Sequence, residues 1–379
     1  PRAFSGLDDL HILGDLADGS TEAAEAIGSY VEYLETDLAP RAKASFRVGR
    51  EAFERKLKLD EGITMSADRL LAIALRELHE VQEEFRSVAG RVNGGDPIAA
   101  WRAAKEEHPP PGQLVAAGQR QVEELAKFLQ QHSVVSLPDS EPVVVAPSPA
   151  FNRWASASMW TPGPFESKPS RAYYYLTDVD RGWSPERQTE HMRDFNVPTL
   201  WNVSMHEVYP GHFLRCQHLR QVESRVRKST LLAPMSFVEG WAHYCEHMMA
   251  EAGFKRGDIT IKLGGLAEAL VRLARCVVAI RLHCEDLSVE QGMRIFRDEA
   301  FLEESTARRE AERGTFDPTY LVCSVGKLMM LKLRRDYKDR QAGKFSLRAF
   351  HDAVLAQGSA PFWAHRSLLL DDASDAVLE

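Results

Sequence analysis

Two histidines flank a proline–glycine pair in the segment His206-Glu207-Val208-Tyr209-Pro210-Gly211-His212, and a glutamate follows the first of them directly. A zinc hydrolase needs these residue types. Neutral imidazoles bind the ion and leave a position for water, and the adjacent carboxylate takes a proton from that water as it attacks a carbonyl. The familiar version sets the histidines four residues apart on one helical face. Here the interval is six. A regular helix turns that interval through about 600° and leaves the side chains roughly 120° apart. Pro210 supplies a possible distortion, because it offers no N–H to the carbonyl of His206 and its ring collides with that turn. Gly211 tolerates whatever backbone results. One reading is a widened or kinked turn that aims both rings at one ion; the other is a kinked helix with a purely structural role.

The second segment is Phe237-Val238-Glu239-Gly240-Trp241-Ala242-His243-Tyr244-Cys245-Glu246. Zinc hydrolases of the glutamate-ligand type take their third ligand from a glutamate on a following helix. Glu239 lies 27 residues past His212, an interval that fits such a helix–loop–helix. Ser236 and Glu239 also form the S-x-x-E pattern of a capping box, so a capping role stands beside the ligand role. His243 and Glu246 follow Glu239 at i+4 and i+7 and share its face. They are candidates for supporting groups or alternative ligands. Cys216 and Cys245 lie near the two motifs but are expected to bind no metal, since an enzyme site keeps a coordination position open.

Helices must position these groups. From Ala24 the apolar residues Ile27, Val31, Leu34 and Leu38 recur at helical spacing up to Pro40. A longer helix starts at Ser66, carries Leu70, Ile73, Ala74, Leu78, Val81 and Phe85 inward, and stops at Gly94-Gly95. A short helix around Ala99 to Lys105 precedes Pro109-Pro110-Pro111, and another presents Val115, Val122, Leu125 and Leu129. The period then changes. Val143-Val144-Val145 and Ala172 to Leu176 predict a small antiparallel sheet between about Pro142 and Val179. Ser184-Pro185-Glu186 opens a helix with proline at its first position. Helices return from Thr199 nearly to the end, and Leu266 to Leu282, apolar on most faces, predicts a central buried helix. The division expected is a helical part over 1–140 and a catalytic part over 141–379, joined in one continuous unit.

The 379 residues are 44% hydrophobic and 27% charged, with 55 acidic against 47 basic side chains and a formal charge of −8. This is ordinary globular composition. No run of about 18 apolar residues predicts a membrane span, and no basic stripe points to nucleic acid. Arg215, Arg220, Arg225 and Arg227 are expected along the solvated face of one helix. Cys216, Cys245, Cys276, Cys284 and Cys323 fit neither a zinc ribbon nor a disulfide framework. They are expected as reduced thiols, which favours the cytoplasm. The chain begins at Pro1 without a methionine, so a secreted or periplasmic location stays open, and oligomeric state is not legible.

Together, His-Glu-x-x-Pro-Gly-His and Glu-Gly-Trp-Ala-x-Tyr-x-Glu resemble the bacterial family known as domain of unknown function 885. The resemblance continues through Arg281-Leu282-His283, Asp317-Pro318-Thr319-Tyr320-Leu321, Gly326-Lys327-Leu328, Leu333-Arg334 and Phe350-His351-Asp352, with Gly358 and Pro361. Its specific motifs cover roughly Ser148 to Leu370. Members usually carry a further N-terminal helical region, so this chain looks shortened. The resemblance implies a mainly α fold similar to gluzincin-type metallopeptidases, with a deep cleft and the small sheet on its wall. It implies one zinc ion per chain held by His206, His212 and Glu239, with Glu207 as general base. Phe213 and Arg215 stand where many members have histidine and glutamine, and Cys323 where an aromatic is common, which bears on substrate preference more than on metal binding.

The activity expected is hydrolysis of a small peptide or peptide-like amide. Tyr320 and His283 are candidate donors to the developing oxyanion, against roles as a buried tyrosine and a core histidine. Lys327 or Arg334 could hold a substrate carboxylate, against roles as solvated helix charges. The alternatives are a helical ligand-binding protein without catalysis, and a metal-dependent esterase or amidase on a non-peptide substrate. Retention of Glu207 argues against the first.

Overall fold

The computed structural model describes residues 8–93, 96–138, 143–153, 155–166, 171–341, 343–372, 374 and 376–378. The chain forms two compact units, Pro1–Phe46 and Arg47–Glu379.

In the first unit, α1 (Leu10–Tyr33) is capped by the Asp9 carboxylate, which accepts from the backbone N–H groups of His11 and Ile12. It runs through a π-helical turn (Leu34–Leu38) into the short α2 (Ala39–Arg41). The expected apolar stripe is helical here, and Ile27, Val31 and Leu38 are exposed.

The second unit opens with α3 (Arg50–Lys56) and a π-helical turn at Leu57–Glu61, followed by α4 (Ala67–Asn93), α5 (Pro97–Lys105) and α6 (Leu114–His132). Ser66 caps the start of α4, its hydroxyl accepting from Arg69 N–H at 3.3 Å. Leu70, Ile73, Ala74, Leu78 and Phe85 are buried as the periodicity predicts, whereas Val81 is half-buried. Gly94-Gly95 lies outside the described residues.

The sheet contains β1 (Val143–Pro147), β2 (Ala157–Trp160) and β3 (Ala172–Leu176) in the order β1-β3-β2. It is mixed rather than antiparallel. β2 and β3 are antiparallel, but β1 and β3 are parallel, with Val145 opposite Tyr174. The chain returns from β1 along β2 while leaving a slot between them, and β3 fills that slot. The long excursion between β1 and β3 gives the parallel pair the connection that it needs. Along β3, Ala172, Tyr174 and Leu176 point inward by the alternation of a strand. The predicted starting point, Pro142, is outside the described residues.

Helices then continue to the end as α7 (Pro185–Asp194), α8 (Val197–Glu207), α9 (His212–Gln221), α10 (Arg225–Lys228), α11 (Met235–Glu251) and α12 (Ile259–Cys284), then α13 (Val289–Glu299), α14 (Glu304–Phe316), α15 (Val322–Arg340), α16 (Leu347–Ala356) and α17 (Phe362–Leu370). Ser184 caps α7 ahead of Pro185, as expected. The central buried helix is α12, which packs against α4, α8 and α15 and buries Leu270, Leu273, Ala274, Val277, Val278, Ile280 and Leu282. The four arginines do not share one solvated helix. They fall on α9 and α10, Arg215 is buried with Nη1 donating to Ser359 Oγ at 2.9 Å, and Arg227 binds Gln357. The break between α9 and α10 turns the chain, so their spacing no longer places them on one face.

Candidate metal centre

The distortion at Pro210 is a complete break. α8 ends at Glu207, and α9 starts anew at His212. Between them, the backbone N–H of Gly211 donates to Met205 O at 3.0 Å, folding the turn back on the end of α8. The turn is so tight that a Cβ on Gly211 would sit 1.7 Å from the carbonyl oxygen of His206. Only glycine fits there. The break brings the two imidazoles together, with ring centroids 4.8 Å apart and planes at 88°.

α11 supplies the third group. Its cap is Pro234, and Ser236 lies inside the first turn with its backbone N–H donating to Glu61 Oε2 at 2.7 Å. Ser236 is therefore not a capping residue, and Glu239 is free of the capping role. Glu239 Oε2 lies 3.5 Å from His206 Nε2, and Oε1 lies 3.5 Å from His212 Nε2. Among the described residues, His206, His212 and Glu239 form the one group that could hold a metal ion, with donor atoms all within 4.8 Å of one another. The donor set suits zinc. Bonds of about 2.0–2.1 Å in a tetrahedron put neighbouring donors roughly 3.3 Å apart, close to the two 3.5 Å separations.

Two helix contacts hold α11 in place. Trp241, fully buried, donates its Nε1–H to Pro210 O at 3.0 Å and so ties α11 to the turn. α15 lies against α11 with glycine on both sides: a Cβ on Gly240 would meet the backbone of Gly326 at 2.5 Å, and one on Gly326 would meet Ser236 O at 1.9 Å. The same approach brings Cys323 Sγ within 3.5 Å of Glu239 Oε2.

Behind the triad is a buried polar chain. His206 Nδ1 hydrogen-bonds Glu246 Oε1 at 2.7 Å, and Arg272 Nη1 from α12 donates to Glu246 Oε2 at 2.9 Å. His243 Nδ1 stands 3.4 Å from Glu246 Oε2. Glu246 thus holds His206 by the ring nitrogen that faces away from the triad, the arrangement that carboxylates make beside metal-binding histidines.

The charges differ across the cluster. Burial works against the His206 imidazolium, but hydrogen bonds and negative charge from Glu239 and Glu246 outweigh it and raise its pKa to about 10. Burial lowers His212 to about 3 despite Glu239. Burial also opposes the Glu239 carboxylate, yet His212, His206 and the Cys323 thiol hold it well below the usual range. For half-buried Glu207, burial is the largest influence; His206 opposes it, Glu239 adds to it, and the carboxyl rises to about 7.

A model of the family described as "bacterial protein of unknown function (DUF885)" matches residues 8–364. The chain belongs to the DUF885 family. A search of curated proteins returned no match. Among solved structures, this DUF885 chain is similar to a "putative lipoprotein of unknown function" from Shewanella oneidensis, with a TM-score of 0.80 and 26% identity over 97% of this chain and 68% of that one. It is also similar in fold to a "putative lipoprotein" from Colwellia psychrerythraea, with a TM-score of 0.73 and 22% identity over 86% of this chain. The chain spans 57% of that second protein's length.

The remaining candidates in this DUF885 chain are not among the donor atoms of the triad. His283 accepts from Val48 N–H at its Nδ1 and lies 2.7 Å from Gly314 O at its Nε2, so backbone uses both ring nitrogens. Tyr320 is buried, its hydroxyl pressed toward Gly314 and its ring beneath Arg313. Arg334 is committed to Glu251 and to the Tyr244 hydroxyl. Lys327 is half-buried and acts electrostatically on His243. Cys216 and Cys245, with the other three cysteines, are free thiols outside the triad. The sequence reading missed Arg272. Its signal was available: Glu268, Arg272 and Arg275 are charged residues at i, i+4 and i+7 within Leu266–Ile280, a stretch that is otherwise apolar.

Proposed function

We propose that this DUF885 protein is a zinc-dependent hydrolase of peptide-like amide bonds. The observation that carries the reading is the triad itself: two imidazole nitrogens each 3.5 Å from an oxygen of one carboxylate, on three helices that no short sequence interval would otherwise bring together. When bound, the ion would activate water and polarise the substrate carbonyl. The chain's own residues prepare the rest. Glu246 accepts from His206 Nδ1–H, so an ion that displaces the proton held at Nε2 would find that nitrogen's lone pair aimed into the site. Burial keeps His212 neutral, and Glu239 stays ionised. The Cys323 thiol, pushed well up by burial, remains protonated and donates to Glu239 rather than competing as a ligand. Glu207, one residue past His206 and within the electrostatic reach of His206 and Glu239, would take a proton from the water and pass it to the leaving amine. A carboxyl poised near neutrality does both efficiently.

The test is metal analysis of purified protein. About one zinc per chain is expected in the parent and none in His206→Ala or His212→Ala; full occupancy in His212→Ala would refute the ligand set. Hydrolysis of acylated amino acids and dipeptides should follow the zinc content.

Among the described residues no helix is long and apolar enough to cross a membrane. The likeness to two proteins described as lipoproteins supports the cell envelope over the cytoplasm that the cysteines suggested. Two of the five free thiols, Cys245 and Cys276, are fully buried, where an oxidising compartment reaches them least.

A further inference from the structure

We infer that Lys327 anchors a carboxylate of the substrate, which makes the substrate class peptides or acylated amino acids bearing an anionic group beside the scissile amide. The inference rests on the hydrolase reading above and deepens it.

Placement is the first ground. α15 and α11 run in step: Cys323 meets Glu239, Gly326 meets Gly240, and Arg334 meets Glu251. Lys327 follows Gly326, where the two backbones touch. It is also one helical turn beyond Cys323, on the face that carries Cys323 to the triad. Its charge is felt by His243, Glu246 and Arg272.

Charge pairing is the second ground. Arg215, near His212, is buried and out of a ligand's reach, and the arginines of α12 and α15 already hold carboxylates. Arg272 binds Glu246 at 2.9 Å and Glu268 at 3.7 Å, Arg275 holds Glu310 through two bonds of 2.7 Å, and Arg334 holds Glu251. Lys327 makes no hydrogen bond or ion pair among the described residues. Burial drives its pKa down even though Glu246, and more weakly Glu77 and Glu84, pull the other way without pairing with it, yet the residue keeps accessible surface. A cation removed from water without a partner is costly. An arriving anion offsets that cost, and a neutral analogue leaves it standing. The second candidate, Arg334, lacks this property because its guanidinium already has its partners.

The experiment measures binding by calorimetry for N-acetyl dipeptides as free acids, as C-terminal amides, and as amides carrying an aspartate side chain. The proteins are the parent, Lys327→Met, Lys327→Gln and Lys327→Arg, each with and without added zinc and each checked for zinc content and melting temperature. The parent is expected to prefer a carboxylate-bearing ligand over the neutral amide by about 10- to 100-fold, the worth of one charge-assisted contact. Lys327→Met and Lys327→Gln should reduce the preference to about 2-fold, and Lys327→Arg should restore most of it. Preference for the free acid identifies a terminal carboxylate, and preference for the aspartyl amide a side-chain one; both support the assignment. A parent that does not distinguish acids from amides, or a preference that survives in Lys327→Met, overturns it. A chain that takes up zinc but ignores the carboxylate refutes Lys327 alone. A chain that prefers the carboxylate but takes up no zinc refutes the metal reading and keeps Lys327.

Discussion

Glu207 and Glu239 feel each other's charge, and their surroundings drive them in opposite directions. Burial raises Glu207 to about 7, while the two imidazoles hold Glu239 ionised against burial. Glu207→Gln keeps the shape of the side chain and removes the base. It should retain zinc and lose on the order of 10²–10⁴-fold in turnover. Glu239→Gln should instead lose zinc, as measured by metal analysis of the two variants side by side. The raised Glu207 also has a consequence for metal-free protein. The folded state holds its proton above the ordinary value of 4.5, so the stabilisation is complete below pH 4.5 and is lost as pH rises through about 7. Denaturant titrations in chelator should show the parent losing up to about 3 kcal/mol across that window relative to Glu207→Gln. An identical pH dependence for the two proteins would mean that Glu207 is not desolvated as described. At this scale the meeting of His206, His212 and Glu239 was legible because both motifs combine rare residue types at short intervals. For Arg272 the spacing on its own helix marked a buried charge but not its partner, since Glu246 is 26 positions away and no local spacing reports a contact between helices.

The elements are held by close backbone approaches, and these were the least legible part of the sequence. Periodicity marked α4, α6 and α12 because one face of each is buried, which is what an apolar repeat records. It could not report that β3 inserts between β1 and β2, because alternation describes a strand and says nothing about its partners. Nor could the S-x-x-E pattern reveal that Ser236 is already inside α11, held by Glu61 from a distant turn. The glycines carry the information that was missing. Gly211→Ala would force the turn off His206 O, and zinc affinity should fall by at least tenfold even where the protein still folds. Gly326→Ala would push α15 away from α11. Its cost should be about 1–3 kcal/mol or more, the usual worth of overpacking a tight contact, read as a lower denaturation midpoint with an unchanged slope. Arg272→Met leaves Glu246 without its cation and His206 without a fixed partner. Zinc affinity should fall by about 10–100-fold in competition with a chelating dye, while Arg272→Lys recovers part of it. Unchanged affinity in Arg272→Met would limit Arg272 to a packing role.

Across the whole second unit, the three candidate ligands sit on α8, α9 and α11, and the contacts that aim them come from α12, α15 and the turn at Pro210. An ion bound by all three ligands binds the native arrangement and not the unfolded chain, so its binding energy adds to folding stability. The amount follows from linkage: free zinc at 100 times its dissociation constant contributes about 2.7 kcal/mol, and at 1,000 times about 4.1 kcal/mol. Unfolding entropy scales with length, so for a unit of this size each kcal/mol moves the melting temperature by only about 1–2 °C. Chelation should therefore lower the melting temperature by roughly 3–8 °C, and added zinc should restore it in proportion to the logarithm of its concentration. Magnesium and calcium should not substitute, because an imidazole-rich set suits zinc and those ions prefer oxygen ligands. His206→Ala provides the control. It removes one ligand and the partner of Glu246, so its melting temperature should be lower than the parent's and should no longer respond to zinc or to chelator. A parent protein that melts at the same temperature in chelator and in excess zinc would mean that the three helices meet for packing alone, and the triad would lose its claim to be a metal centre.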